Sequence, residues 1–172
     1  LIESKLLQEA ILRSFENLES TTKLRFDTVC QWHVDWLGSL YVFAGQIRTV
    51  NVSKGGVLFA PISNLETTLE ELDKCLGEYT PCNQLSQTKL VKAIAEVHCE
   101  FILAHPFREG NGRIGRWIAD VMALQAGYEL LNWRFDQGGQ SRQQEYFSAL
   151  RQSFGGNLTA LEEIVESALV GA

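Results

Sequence analysis

An all-α domain with one β-hairpin is the fold this sequence predicts, on three observations. Apolar residues recur with the 3.6-residue helical period through most of the chain. One stretch near residue 50 has strand character around a Lys-Gly-Gly turn, and no repeat, linker or low-complexity segment divides the 172 residues. The composition agrees with a self-sufficient core: 45% hydrophobic and 21% charged residues, with only three prolines, is a globular balance. A chain of this length buries roughly 70% of its unfolded surface. A single domain over residues 1–172 is therefore expected.

Each element has its own signal. Leu6, Leu7, Ala10, Ile11, Ser14 and Phe15 mark an amphipathic helix over about residues 3–18. A second helix is expected from Phe26 to Tyr41, opened near the capping types Asp27 and Thr28 and carrying Val29, Trp32, His33 and Leu37. Ile47, Thr49, Val50 and Val52 suit a strand, Lys54-Gly55-Gly56 a turn, and Val57 to Phe59 a return, so a hairpin is expected over roughly 47–60. Pro61 opens a helix bearing Leu65, Leu69, Leu72 and Leu76, which a polar loop near Pro81 to Ser86 ends. A long helix from about Thr88 to His105 carries Leu90, Ala93, Ile94, Val97, Phe101 and Leu103 mostly on one side. Pro106 stops it, because proline has no N–H and crowds the residue before it out of the helical region. After the loop PFREGN, the stretch GRIGRWIADVMALQA reads as a helix closed by Gly127. Two more helices are expected near 140–153 and 157–170, the second with Leu158, Leu161, Ile164, Val165 and Ala168.

A net charge of -6 argues against a broad basic footprint for nucleic acid, but leaves room for a small anion held by a local cluster of cations. Cys30, Cys75, Cys82 and Cys99 form no CxxC pair and no repeated spacing with histidine. Neither a zinc site nor a disulfide framework is signalled, and reduced, semi-buried thiols are expected. No stretch approaches ~18 uninterrupted apolar residues, and the start, LIESKLLQEAILR, carries acids and no small-residue cleavage site. No membrane span and no secretion signal are read, so a cytoplasmic setting is the default. The first residue is Leu1 rather than Met, so an upstream segment is expected.

The chemistry concentrates in His105-Pro106-Phe107-Arg108-Glu109-Gly110-Asn111-Gly112-Arg113-Ile114-Gly115-Arg116. A histidine ends one helix, and a Glu-Gly-Asn-Gly-Arg turn opens the next, where backbone N–H groups lack intrahelical partners and attract anions. Gly110 and Gly112 remove side chains where a phosphate would approach the backbone. Arg113 and Arg116 stand where the helix dipole disfavours cations, unless a bound polyphosphate reverses the sign through charge-assisted hydrogen bonds. Glu109 is then explained by a divalent cation such as Mg²⁺ lying between it and the phosphates. His105 completes the set as a base for an attacking hydroxyl. The implied reaction is phosphoryl or nucleotidyl transfer to an alcohol, with the attacked phosphorus left open. His33, His98 and the four tryptophans, Trp32, Trp36, Trp117 and Trp133, read as core or rim residues.

This segment resembles the Fic family motif HxFx(D/E)GNGRxxR at every specified position. The stretch Phe43 to Thr49, with Lys54-Gly55-Gly56 and Phe59-Ala60-Pro61, is similar to the region leading through the family's target-binding flap, so the likeness spans about residues 28–155. The resemblance implies a helical Fic core and a protein adenylyltransferase that moves AMP from ATP to a Tyr, Thr or Ser hydroxyl. It makes His105 the base and Glu109 the Mg²⁺ ligand. Asn111 with Gly110 and Gly112 would hold the α-phosphate region, Arg113 the β-phosphate and Arg116 the γ-phosphate. The flap, Lys54, Gly55, Gly56 and Val57, would bind the target as an added strand. Tyr146 resembles an aromatic near the adenine in some relatives. In the Doc branch a lysine replaces Gly112 and the nucleotide serves a kinase, so glycine favours AMP transfer.

The family's inhibitory (S/T)xxxE(G/N) helix, whose Glu pairs with the second motif arginine, here Arg116, has no clear counterpart. Leu12 to Asn17 lacks the leading hydroxyl, and Thr159 to Ile164 lacks the final Gly or Asn. Restraint from a separate antitoxin chain or inhibitory helix reaching Arg116, restraint from residues outside this sequence, and no restraint at all are the resulting alternatives. Transfer of another nucleotide or phosphate-containing group, or removal of AMP, stands as the enzymatic alternative. A DNA-binding helix-turn-helix module is the alternative from another class.

Overall fold

The polypeptide winds around two central helices whose apolar residues face in nearly every direction. A computed structural model describes residues 2–169, with the side chains of 136–138 outside the description. Its elements are α1 (Ile2–Asn17), α2 (Phe26–Leu37), β1 (Ser53–Lys54), β2 (Val57–Leu58), α3 (Ile62–Tyr79), α4 (Gln87–Ala104), α5 (Asn111–Gln125), α6 (Phe135–Phe154) and α7 (Thr159–Ala168). α4 packs against α3, α5, α6 and α7, and α1 lies along α2. The expected one-sided stripe on α4 is wider in fact. Val91, Ala95 and Ile102 are buried as well, while Leu103 is only half-buried. A helix apolar on most sides belongs at the centre of a core.

α5 is similarly enclosed. Gly115 lets it cross α4 closely: a Cβ there would meet Ile102, His98 and Phe101 at 3.1 to 3.2 Å. At its far end the Gly127 N–H donates to the Leu124 carbonyl and the Tyr128 N–H to the Ala123 carbonyl. These are the paired bonds of a Schellman cap around a left-handed glycine. Trp117 of α5 stacks on Trp32 of α2 at 4.9 Å and donates its indole N–H to Ser14 of α1, which fixes α1 on this side of the core.

Three boundaries differ from expectation for identifiable reasons. α2 stops at Leu37, not Tyr41, because the chain turns at Gly38 and carries the Tyr41 hydroxyl to Glu3, 2.6 Å away. Its start is capped by tertiary structure rather than by Asp27 or Thr28: Asp73 of α3 accepts from the Phe26 N–H and pairs with Arg25. The hairpin is far shorter than 47–60, with only Ser53 opposite Leu58 and Lys54 opposite Val57. The backbone before it is not free to pair, since the Arg48 N–H donates to the Pro106 carbonyl. α6 begins at Phe135 and bends at Gly139, so the piece beyond the bend corresponds to the helix expected at 140–153. Residue 170, the expected end of the last helix, lies outside the described residues. No helix among them is long and apolar enough to cross a membrane.

Candidate active site

The loop between α4 and α5 is held at almost every residue. Gly110 is the N-cap of α5 at φ 83°, and a Cβ there would stand 2.6 Å from the Trp36 ring, so both backbone and space require glycine. Asn111 turns its carboxamide back on the loop, accepting from the Phe107 N–H at 2.9 Å and donating to the Phe107 carbonyl at 2.8 Å. His33 braces it from α2. The Gly45 N–H donates to His33 Nδ1, so Nε2 carries the proton and donates to the Glu109 carbonyl at 3.1 Å. Its ring stacks on Phe107 at 4.0 Å. Burial pushes the His33 pKa down, which keeps this neutral tautomer.

His105 caps α4 in the left-handed region, φ 45° and ψ 57°, a conformation that costs a non-glycine residue about 1–2 kcal/mol. Its ring lies flat on Phe59 at 3.6 Å. Nδ1 is 3.3 Å from the Ile102 carbonyl, which can only accept, so Nδ1 bears the hydrogen and Nε2 keeps a lone pair. Burial, with the charges of Arg48 and Lys54, pushes the imidazole down to about 4, against the Ile102 bond that favours protonation. At neutral pH the ring is therefore an unprotonated base.

His105 opens on a cavity of about 520 Å³ whose floor is the N-terminus of α5. The N–H groups of Asn111 and Gly112 have no partner among the described residues. Arg113 stacks on Trp36 at 4.4 Å, donates to Glu3 of α1 at 2.9 Å and lies 3.8 Å from Glu109. Arg116 sits over Phe135 at 5.4 Å, and burial lowers its pKa. The opposite wall is the flap, with Lys54 and Val57. The cavity thus joins a neutral imidazole, a helix start with unpartnered N–H donors among the described residues, and two arginines.

The cavity brings together every residue expected at the site except Gly55 and Gly56, which form the exposed flap tip. Tyr146 both lines the cavity and serves packing. His98 Nδ1 must donate to the Gly115 carbonyl, so Nε2 accepts from the Tyr146 hydroxyl at 2.7 Å. His98 is buried and pushed down to about 4, mainly by burial, so both His98 and His33 are packed, hydrogen-bonded core histidines. The carboxylates of Glu16 and Glu163 are exposed, and neither is paired with Arg116 among the described residues. Three contributors were missed from sequence: Arg48 under His105, Phe59 stacked on it, and Glu3 on Arg113. Arg48 had a signal, as a lone cation in an apolar stretch. Glu3, 110 positions from its partner, had none.

Residues 23–123, which contain the whole loop and both arginines, match the sequence model of the Fic/DOC family. The chain belongs to this family. It is 31% identical over 132 residues to a probable protein adenylyltransferase Fic of Salmonella typhimurium and 32% over 126 residues to that of Escherichia coli K12. The aligned stretch is 73% of this chain in each case, and 66% and 60% of the relatives, so the chain spans less than two thirds of the curated relatives it matches. Among solved structures, the Bartonella tribocorum effector BepC with bound AMPPNP superposes with a TM-score of 0.77 at 18% identity, covering 99% of this chain and 85% of that one. The Fic domain of a Bartonella quintana effector with bound ADP gives 0.78 at 19%, covering 98% and 83%. At these identities the likeness establishes the fold. Tyr146 lies beyond the stretch that matches the Fic/DOC model.

Proposed function

We propose that this chain transfers AMP from ATP, with Mg²⁺, to a Tyr, Thr or Ser hydroxyl of a protein laid along the flap. The observation that carries the reading is His105: its Nδ1 hydrogen is committed to Ile102, leaving the Nε2 lone pair for the cavity that also receives α5 and its arginines. The target hydroxyl attacks the α-phosphorus as its proton passes to His105 Nε2. The bond from that phosphorus to the bridging oxygen breaks, and pyrophosphate leaves. Backbone donors at Gly110, Asn111 and Gly112 hold the α-phosphate region, Arg113 the β-phosphate and Arg116 the γ-phosphate. Glu3 already takes one Arg113 donor, so the β-phosphate has to share that guanidinium or displace the carboxylate. The adenylyltransferase activity named for the relatives and the nucleotides bound in the two Bartonella structures support the reading.

Glu109 fits Mg²⁺. Its carboxylate is 62% exposed at the cavity mouth, its cation neighbour is 3.8 Å away, and no cluster of three ligating side chains competes among the described residues. A cation that keeps waters and phosphates as ligands needs little more from the protein. When bound, it neutralises phosphate charge during transfer. Recognition of DNA by α5 is disfavoured, because Ile114, Gly115, Trp117, Ile118 and Val121 are buried and the half-buried Gly112, Arg113 and Arg116 line a concave cavity rather than a projecting face. Restraint by a second chain reaching Arg116 belongs to the same proposal.

Calorimetry with ATP and excess Mg²⁺ tests the cradle, and labelled ATP tests the reaction. Label from the α-phosphate and the added mass of AMP on the target are expected. Label from the γ-phosphate would make the chain a kinase, a different added mass would identify another transferred group, and no ATP uptake would sink the reading.

A further inference from the structure

Arg48 is a buried cation, 4% exposed, with no carboxylate partner among the described residues. Such a group is costly to bury unless its donors are fully met. Its guanidinium is met by backbone carbonyls alone: His105 at 2.7 Å, Ala104 at 3.1 Å, Val50 at 2.7 Å, and Ala60. Two of these acceptors are orphan carbonyls at the C-terminus of α4, where the helix dipole favours a cation. The other two bracket the flap, one before β1 and one after β2. The Arg48 N–H adds a bond to Pro106, and the Ala60 N–H bonds Leu103. One planar fork therefore joins both ends of the flap to the residue that carries the base, and it does so from outside the nucleotide cavity, which Arg48 does not line.

We propose that Arg48 is a positioning residue that couples the flap to His105, so that the target strand and the base are set in one register. Its kinetic consequence rests on the AMP-transfer reading; its structural consequence does not. The left-handed His105 is the strained member of the pair. Arg48 holds the His105 carbonyl while Phe59, adjacent to the bonded Ala60, holds the ring. The charges facing His105 are Arg48 from the connector, Lys54 from the flap, Arg108 and Glu109 from the loop, and Arg113 and Arg116 from α5.

The test uses Arg48→Lys, which keeps the charge but cannot span four carbonyls with one compact ammonium. AMP transfer to a protein target is expected to fall on the order of a hundredfold in kcat, as a misplaced base does. The Kd for ATP should stay within about twofold. Hydrogen exchange over residues 49–61 should quicken while residues 111–125 stay protected. Arg48→Gln also removes a positive neighbour of His105, so the acid limb of its pH–rate profile should move to higher pH. If Arg48→Gln does not fold, the lysine variant carries the test. Unchanged transfer and unchanged flap exchange in Arg48→Lys overturn the proposal. So does a loss of ATP affinity and of α5 protection in parallel, which would mark a merely structural residue. A wild-type protein that binds no ATP and transfers nothing sinks the functional reading instead, and the exchange pattern still decides the role of Arg48.

Discussion

The α4–α5 loop and the flap face each other across one cavity, yet they are held in opposite ways. From Phe107 to Gly110 the loop is fastened by Asn111, by His33, by the stack on Phe107 and by the space under Trp36. In the flap, Ser53, Lys54, Gly55, Gly56 and Leu58 are exposed, only Val57 is buried, and the ladder is two residue pairs long. Phosphate chemistry needs donors fixed before the reaction, because a preorganised site avoids reorganisation in the transition state. A surface that receives another protein's strand gains little from being fixed beforehand, since the incoming backbone supplies the missing bonds. On the proposed function, rigidity follows the chemistry, and adaptability is confined to the edge proposed to receive the target. Arg48 is where the two meet.

The comparison breaks most sharply at the base. His105→Ala removes the Nε2 acceptor without touching Arg113, Arg116 or the start of α5. Transfer is expected to fall by about 10²–10⁴-fold, the usual contribution of a general base, while ATP still binds in calorimetry. Substitutions in the flap should instead alter the KM for the protein target. A His105→Ala variant that transfers at the wild-type rate would leave the cradle without its base.

Glycines on the two sides give the next contrast. Gly110 and Gly55 both have positive φ, 83° and 59°, but a Cβ at Gly110 collides with Trp36 while a Cβ at Gly55 meets nothing within 4 Å. Gly55→Ala should cost only the backbone penalty, about 1–2 kcal/mol. Gly110→Ala adds overpacking and should cost about 2–5 kcal/mol in urea unfolding. Equal losses would mean that the loop is not as tightly overdetermined as its contacts indicate.

A smaller effect is expected at the cradle itself. Arg116→Met keeps an unbranched apolar side chain but removes the guanidinium that sits over Phe135, so ATP affinity should weaken by about 10- to 100-fold, the worth of a charge-assisted hydrogen bond. Flap variants such as Lys54→Ala should leave the same Kd nearly unchanged. A titration in which Lys54→Ala weakens ATP as much as Arg116→Met would erase the division of labour.

What could be seen in the sequence follows the same division. The loop was legible because its chemistry is contiguous, with His105, Glu109, Asn111, Arg113 and Arg116 within twelve positions. The helices were legible from their periods, and Gly127 from its C-cap role. The flap was not. Val50 and Val52 have strand character, yet the partners that capture this segment are carbonyls at Ala104, His105 and Pro106, more than fifty residues on. β-propensity describes a residue that suits a pleated surface, not which backbone claims its bonds. Glu3 on Arg113 and Asp73 at the start of α2 were hidden for the same reason: each is a polar side chain satisfying a group distant in sequence.

The smallest expected effect is that of pH on the rate, and its sign separates burial of the base from an ordinary imidazole. A histidine at its usual pKa of about 6.5 would lose most of its base form between pH 7 and 5.5. With His105 pushed down to about 4, the rate per folded molecule should stay nearly flat over that interval and fall only as pH drops through 4. Stability behaves differently. His98 and His105 are both held near 4 when folded but titrate near 6.5 when unfolded, so between these values the unfolded chain binds more protons. That contribution is complete above about 6.5 and is lost as pH falls towards 4, so Tm should decline across a range where the rate does not. A rate midpoint near 6.5 would place His105 in water. Lys54→Gln should move the midpoint upward, because the flap charge is one of those that disfavour the imidazolium. The shift should be smaller than that of Arg48→Gln, since Lys54 is exposed at the flap while Arg48 is bonded directly to the His105 backbone.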